Sequence, residues 1–297
     1  MDGSILPARH RLEGTPDPTH AWPGGTGVMV RGDAWGDPRG RPVLLLHGGG
    51  QTRHAWKGTG ETLGAAGYYA VAYDARGHGD SDWAPDGVYQ HDDQVEDLSS
   101  VVQAMGGRPP ILVGASMGGG TSLLAVGEGR LEAAAIVLVD MAPRIAPEGS
   151  AKIRAFMSQR PDGFETLEEV ADAIANYQPH RTRPRSVDGL VKNVRRGDDG
   201  RFYWHWDPRR MDRQWNMDEY RDRLEDAARN LHVPTLLVRG GLSDVLTEEG
   251  AQRFLAVCPH AEYVSVSDAA HMVAGDRNDI FASAVIEFLS RRVPPQG

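Results

Sequence analysis

Apolar positions along the chain fall into short unbroken runs separated by longer stretches with helical spacing. PVLLLH (42–47), YYAVAYD (68–74), PILVGA (110–115), AAIVLVD (134–140), PTLLVRG (234–240) and AEYVSV (261–266) are nearly all apolar and too short for helices. Such runs predict strands covered on both faces. GVMVR (27–31) reads as a further strand, closed by the DPRGR turn at 37–41. Helices are expected between them. One runs from His54 to Ala66, one from about Gln90 to Met105 on a 3.6-residue period, and one from Met117 to Val126 in Gly, Ala and Leu. Others cover Thr247–Val257 and Ile280–Leu289.

The alternation breaks once. From Met141 to Asn230 no clear strand core is visible. Four amphipathic segments stand there instead, Ala151–Gln159, Thr166–Tyr177, Val187–Arg195 and Met217–Ala228, together with an aromatic cluster, FYWHW (202–206). Such a stretch inside an alternating chain predicts an inserted cap. The expected organisation is an irregular tail over 1–26, a core over 27–140 and 231–297, and a helical cap over 141–230. The fold class is α/β: a mostly parallel central sheet flanked by helices, with the cap inserted after the sixth strand.

The strongest chemical signal is Gly114-Ala115-Ser116-Met117-Gly118, a G-x-S-x-G match with a strand before it and a small-residue helix after it. This turn holds a serine at a strand tip above a helix N-terminus, where negative charge is favoured. The glycines around it form no G-x-G-x-x-G and precede no Walker-type lysine, which argues against a nucleotide loop. A serine nucleophile needs a base, and the base an orienting acid. His271, just beyond the last strand in SDAAHMV, fits the base. Asp244, after the penultimate strand in GLSD, is the preferred acid and otherwise a helix cap. Asp140, at the end of the strand before the cap, is the alternative, and Asp268 more simply shapes the loop of His271. The oxyanion is expected on the N–H groups of Met117 and Gly49, the latter in the HGGG turn, with Gly48 as its alternative. Gly48, Gly50, Trp204 and Trp206 are expected in the substrate pocket, with Gln51 and Trp56 as further candidates. The aromatic cluster could equally anchor the cap.

LLLHGGG (44–50), YDARGHGDSD (73–82), VGASMGG (113–119), LLVRGGLSD (236–244) and AAHMV (269–273) together resemble the α/β-hydrolase superfamily. The nearest-looking branch is the capped one with esterases, haloperoxidase-like perhydrolases, epoxide hydrolases and carbon–carbon hydrolases. The resemblance implies Ser116, Asp244 and His271 as nucleophile, acid and base, and structural roles for Asp74 and Arg76. Epoxide hydrolases and haloalkane dehalogenases carry Asp where this chain has Ser116, which argues against alkyl-transfer chemistry. Gly49 and Gly50 stand where perhydrolases often place an aromatic or proline residue.

The expected activity is hydrolysis of a carboxylic ester of a small or medium apolar substrate through an acyl-enzyme, with no metal or organic cofactor. A carbon–carbon hydrolase for dienones or diketones would use the same triad, with Arg154, Arg181 or Arg195 as donors. A small-molecule binding protein on the same scaffold is the third reading.

Composition changes this picture little. The 297 residues are 40% hydrophobic and 25% charged, as in ordinary globular chains. The net charge of -9 argues against nucleic acid. One arginine-rich stretch, HRTRPRSVDGLVKNVRR (180–196), reads as a solvated loop and helix face, or else as an anion or partner site. The single cysteine, Cys258, excludes an intrachain disulfide and is expected to be a buried, inert thiol. No run approaches a membrane span, and residues 1–26 lack the apolar core of a leader. The expected partner is a small-molecule substrate, with no nucleic acid and no membrane; the cytoplasm is the expected location, and a homo-oligomer is compatible with the chain.

Overall fold

The computed structural model describes residues 9–181, 186–212 and 216–295. Its main sheet has eight strands: β2 (His20–Pro23), β3 (Met29–Trp35), β4 (Arg41–Leu46), β5 (Tyr68–Tyr73), β6 (Ile111–Ala115), β7 (Ala135–Val139), β10 (Thr235–Gly240) and β11 (Glu262–Val266). Their order is β11-β10-β7-β6-β4-β5-β3-β2. From β11 to β5 every pairing is parallel, whereas β3 and β2 add on antiparallel.

The period of two along each strand explains why the apolar runs are unbroken. Leu44 and Leu46 of β4 face one core with Leu112, Ile136 and Leu138, whereas Val43 and Leu45 face the other with Val113 and Val137. Helices α2 (His91–Ala104), α3 (Met117–Gly127) and α7 (Glu248–Val257) cover the first face through Leu98, Leu123 and Phe254. Helices α1 (Lys57–Ala65) and α9 (Asn278–Arg292) cover the second through Leu63, Phe281 and Phe288. Burying each such side chain contributes roughly 1.5–3 kcal/mol. Cys258 is buried in the first core.

The insertion follows β7, the sixth strand of this sheet. It holds α4 (Pro147–Ser158), α5 (Leu167–Tyr177), β8 (Val194–Gly197) and β9 (Phe202–Trp204). The expected helix at Val187–Arg195 is instead a 3-10 turn over Asp188–Asn193 that runs into β8. β8 pairs with β9 and, on its other edge, with β1 (Arg9–His10). The segment read as an irregular tail therefore contributes one strand to the cap and another, β2, to the main sheet; residues 1–8 lie outside the described residues.

The last cap helix read from the sequence, α6 (Met217–Arg229), packs on α3 instead. Its Leu224, Ala227 and Ala228 join the first core. No helix among the described residues is long and apolar enough to cross a membrane.

Candidate active site

The carboxyl ends of the parallel strands converge on a cavity of about 230 Å³ beneath the cap. This is where open α/β sheets place their ligands. Ser116 sits there between β6 and α3 at φ 46°, ψ −112°, a strained backbone that surrounding structure must hold. Glycine neighbours permit the turn. A Cβ on Gly118 would lie 2.3 Å from Leu46 O, and one on Gly114 would lie 2.4 Å from Gly118 O. Met117 is the first residue of α3, so its N–H belongs to the set that helices leave without an intrahelical acceptor.

The turn after β4 forms the facing wall. Gly48 N–H donates to Gln51 Oε1 at 2.9 Å and Gly50 N–H to His78 Nε2 at 3.3 Å. Gly49 N–H, between them, has no acceptor among the described residues. Three buried histidines brace this turn. His47 Nε2 accepts from Ala75 N–H at 2.9 Å while its Nδ1 donates to Gly48 O at 2.8 Å. His205 Nδ1 accepts from Gly79 N–H at 2.9 Å, and its Nε2 donates to Gly50 O at 3.3 Å. Burial, above all, holds His47, His78 and His205 below the usual histidine range, and so neutral. His205 carried no signal in the sequence beyond its place in the aromatic cluster. The turn after β5 is structural, as expected. Asp74 accepts from Arg53 and Asp80, and Arg76 pairs with Asp97.

His271 stands beyond β11 in the cavity wall with Ser116. Its Nδ1 lies 2.7 Å from Oδ2 of Asp140, whose carboxylate is fully buried. Asp140 also accepts Gly240 N–H at 2.9 Å and Ser243 Oγ–H at 2.5 Å. The structure thus brings the alternative acid to the histidine and leaves the preferred one, Asp244, away from it. Asp244 is half exposed and pairs with Lys152 of α4.

The reason lies in the turn after β10. Ser243 N–H bonds back to Gly240 O, and Ser243 Oγ accepts Val245 N–H and Leu246 N–H. That turn directs Ser243 inward and its neighbour outward. The helix cap suggested for Asp244 is supplied by Thr247, which accepts Gly250 N–H. Asp268 is exposed and paired with Arg277.

Gly48, Gly49, Gly50, Gln51, Trp56, Trp204 and Trp206 all line the cavity. The alternation in FYWHW does make two faces. Trp204 and Trp206 stack at 4.9 Å and join Phe202 in the cap core, whereas Tyr203 turns to Asp199 and His205 to the glycine turn. Of the three arginines proposed as donors, Arg181 lines the cavity. Arg195 is tied to Asp80 and Gly79 O, and Arg154 to Ser150.

A family model described as alpha/beta hydrolase fold matches residues 41–277. An esterase of Mycobacterium tuberculosis is 28% identical over 82% of this chain and 80% of its own length. A non-heme chloroperoxidase of Kitasatospora aureofaciens is 29% identical over 89% of this chain and 97% of its own. The crystal structure of E-2-(acetamidomethylene)succinate hydrolase shares the fold, with a TM-score of 0.80 over 91% of this chain and 98% of that one, at 22% identity. The chain belongs to the α/β-hydrolase fold family and is a hydrolase.

Proposed function

We propose that the chain cleaves a carboxylic ester of small or medium size through an acyl-enzyme on Ser116, with His271 as base and Asp140 as orienting acid. The observation that carries this reading is the 2.7 Å contact of His271 Nδ1 with buried Asp140, in a cavity that His271 shares with a serine at φ 46°. The acid holds the imidazole in the tautomer whose Nε2 is free to take a proton.

Ser116 Oγ attacks the ester carbonyl as His271 Nε2 takes its proton. The tetrahedral oxyanion is held by Met117 N–H and Gly49 N–H. The oxyanion collapses and the C–O bond to the alcohol breaks. His271 gives its proton to the departing alcohol oxygen. Water then repeats the sequence on the acyl-enzyme and releases the acid. Ile153, Phe156, Ile174, Trp204 and Trp206 give the cavity an apolar body, suited to the hydrocarbon part of the substrate.

The test is a series of p-nitrophenyl esters from acetate to longer acyl chains, run on the wild type and Ser116→Ala. The expected result is nitrophenolate release that vanishes in the variant and peaks at short or medium chains. Equal activity of both proteins removes Ser116 from the chemistry. Inactivity of both favours the second reading, carbon–carbon cleavage of a dienone or diketone by the same triad. That reading draws its support from Arg181 in the cavity wall, where a substrate enolate would need a donor.

A further inference from the structure

The charged groups in the cavity wall are all of one sign. Arg181 and Lys192 line it, and no aspartate or glutamate does among the described residues. Both come from the arginine-rich stretch that reads, in sequence, as a solvated face or an anion site.

Lys192 lies in the last turn of the 3-10 element over Asp188–Asn193 and is only partly exposed. No carboxylate lies within ion-pair distance of it among the described residues, and burial together with Lys57 holds its ammonium below the usual lysine range. That destabilises the free cation, and an anion beside it would relieve the cost.

Arg181 is held from behind. Its Nε donates to Asp276 Oδ1 at 2.5 Å, and the same carboxylate accepts Ala270 N–H next to His271. Its Nη2 is buried with no hydrogen-bond partner. The group packs on Gly275, where a Cβ would lie 2.7 Å from that nitrogen. Arginine and lysine can only donate, and buried donors left without acceptors are rare in native folds. The amides of Gln178 and Asn193 add two polar groups to the same wall.

We infer that the substrate carries a carboxylate besides the bond that is cleaved, and that Lys192 and Arg181 receive it. The inference rests on the proposed hydrolytic site and narrows its substrate class to acid-bearing molecules with an apolar body. Asp276 presents the Arg181 guanidinium and takes up part of its charge, so Lys192 supplies the uncompensated cation. Charge-assisted hydrogen bonds of this kind are the strong ones.

The test measures binding without turnover. Succinate, glutarate and adipate are titrated calorimetrically into Ser116→Ala, beside their uncharged diamides. The expected result is that at least one dicarboxylate binds about tenfold or more tightly than its diamide. Adding Lys192→Gln reduces that ratio by about tenfold or more, and Lys192→Arg restores part of it. Adding Arg181→Gln reduces the ratio as well, provided circular dichroism and melting match the parent. Equal binding of acids and diamides, or a ratio that Lys192→Gln leaves unchanged, overturns the inference. Ester turnover by the wild type is scored separately, so an inactive enzyme that still binds dicarboxylates counts against the esterase reading alone.

Discussion

Ser243 Oγ donates to Asp140 Oδ2 at 2.5 Å, on the same oxygen that contacts His271 Nδ1. The loop after β10, where the sequence suggested an acid, thus supplies a hydroxyl to an acid that stands after β7. Ser243→Ala removes one of the buried carboxylate's donors and leaves Gly240 N–H and His271. The expected outcome is a loss of about tenfold in kcat on a p-nitrophenyl ester. KM should change little. An unchanged kcat would make Ser243 a fold residue alone.

Exchanging each acid for its amide separates the two aspartates. Asp140→Asn is expected to lower kcat/KM by about 10⁴-fold while the fold survives, because the amide no longer fixes the imidazole tautomer. Asp244→Asn breaks only an exposed pair with Lys152, worth about 0–1 kcal/mol, and should keep activity within about twofold of the wild type. Steady-state kinetics on one ester decides between them.

The serine turn depends on backbone packing that no side chain tolerates. Gly118→Ala places a methyl 2.3 Å from Leu46 O, a contact with rigid β4 backbone that only a shift of α3 relieves. A stability loss of about 3 kcal/mol or more is expected, read as a lower urea midpoint with an unchanged m-value.

Acid should weaken the fold through the histidines around the glycine turn. His47, His78 and His205 each use one ring nitrogen to accept a backbone N–H, so a proton there removes a hydrogen bond. His54, in the cavity wall, is lowered from 6.5 to about 4 by burial and then by Arg53. All four sit below their unfolded values. The unfolded chain therefore takes up more protons than the folded one once the pH falls below about 6.5. Their contribution is complete above that pH and is lost as pH falls towards the folded values, about 4 for His54. Urea midpoints measured from pH 8 to pH 4 should fall across this window. His205→Asn should flatten the dependence; an unchanged slope would remove His205 from its cause.

Most of the framework was legible in the sequence because it follows from local rules. Continuous apolar runs such as VLLL at 43–46 can only be strands buried on both faces, and the structure distributes alternate residues to two cores. Ser116 and the HGGG turn were legible because their chemistry is carried by neighbours in the chain. The packing of α6 was not, because it reads as any amphipathic helix until Leu224 and Ala227 meet α3. Nor did the first residues show that β1 completes the cap sheet, since an edge strand of two residues has no periodicity of its own.

The acid marks the boundary between the two kinds of knowledge. The sequence alone determined that a serine and a histidine stand at strand ends with carboxylates available after two neighbouring strands. Which carboxylate reaches the imidazole depended on the turn after β10, where hydrogen bonds to Ser243 turn one side chain inward and the next towards Lys152. The same holds for Lys192 and Arg181, which are far from Ser116 in sequence and share its cavity only once the cap has folded over the sheet. Local patterns decide elements because they depend on residues a few positions apart. Site membership is decided by contacts between residues far apart in the chain, 131 positions for Asp140 and His271, which only packing can select.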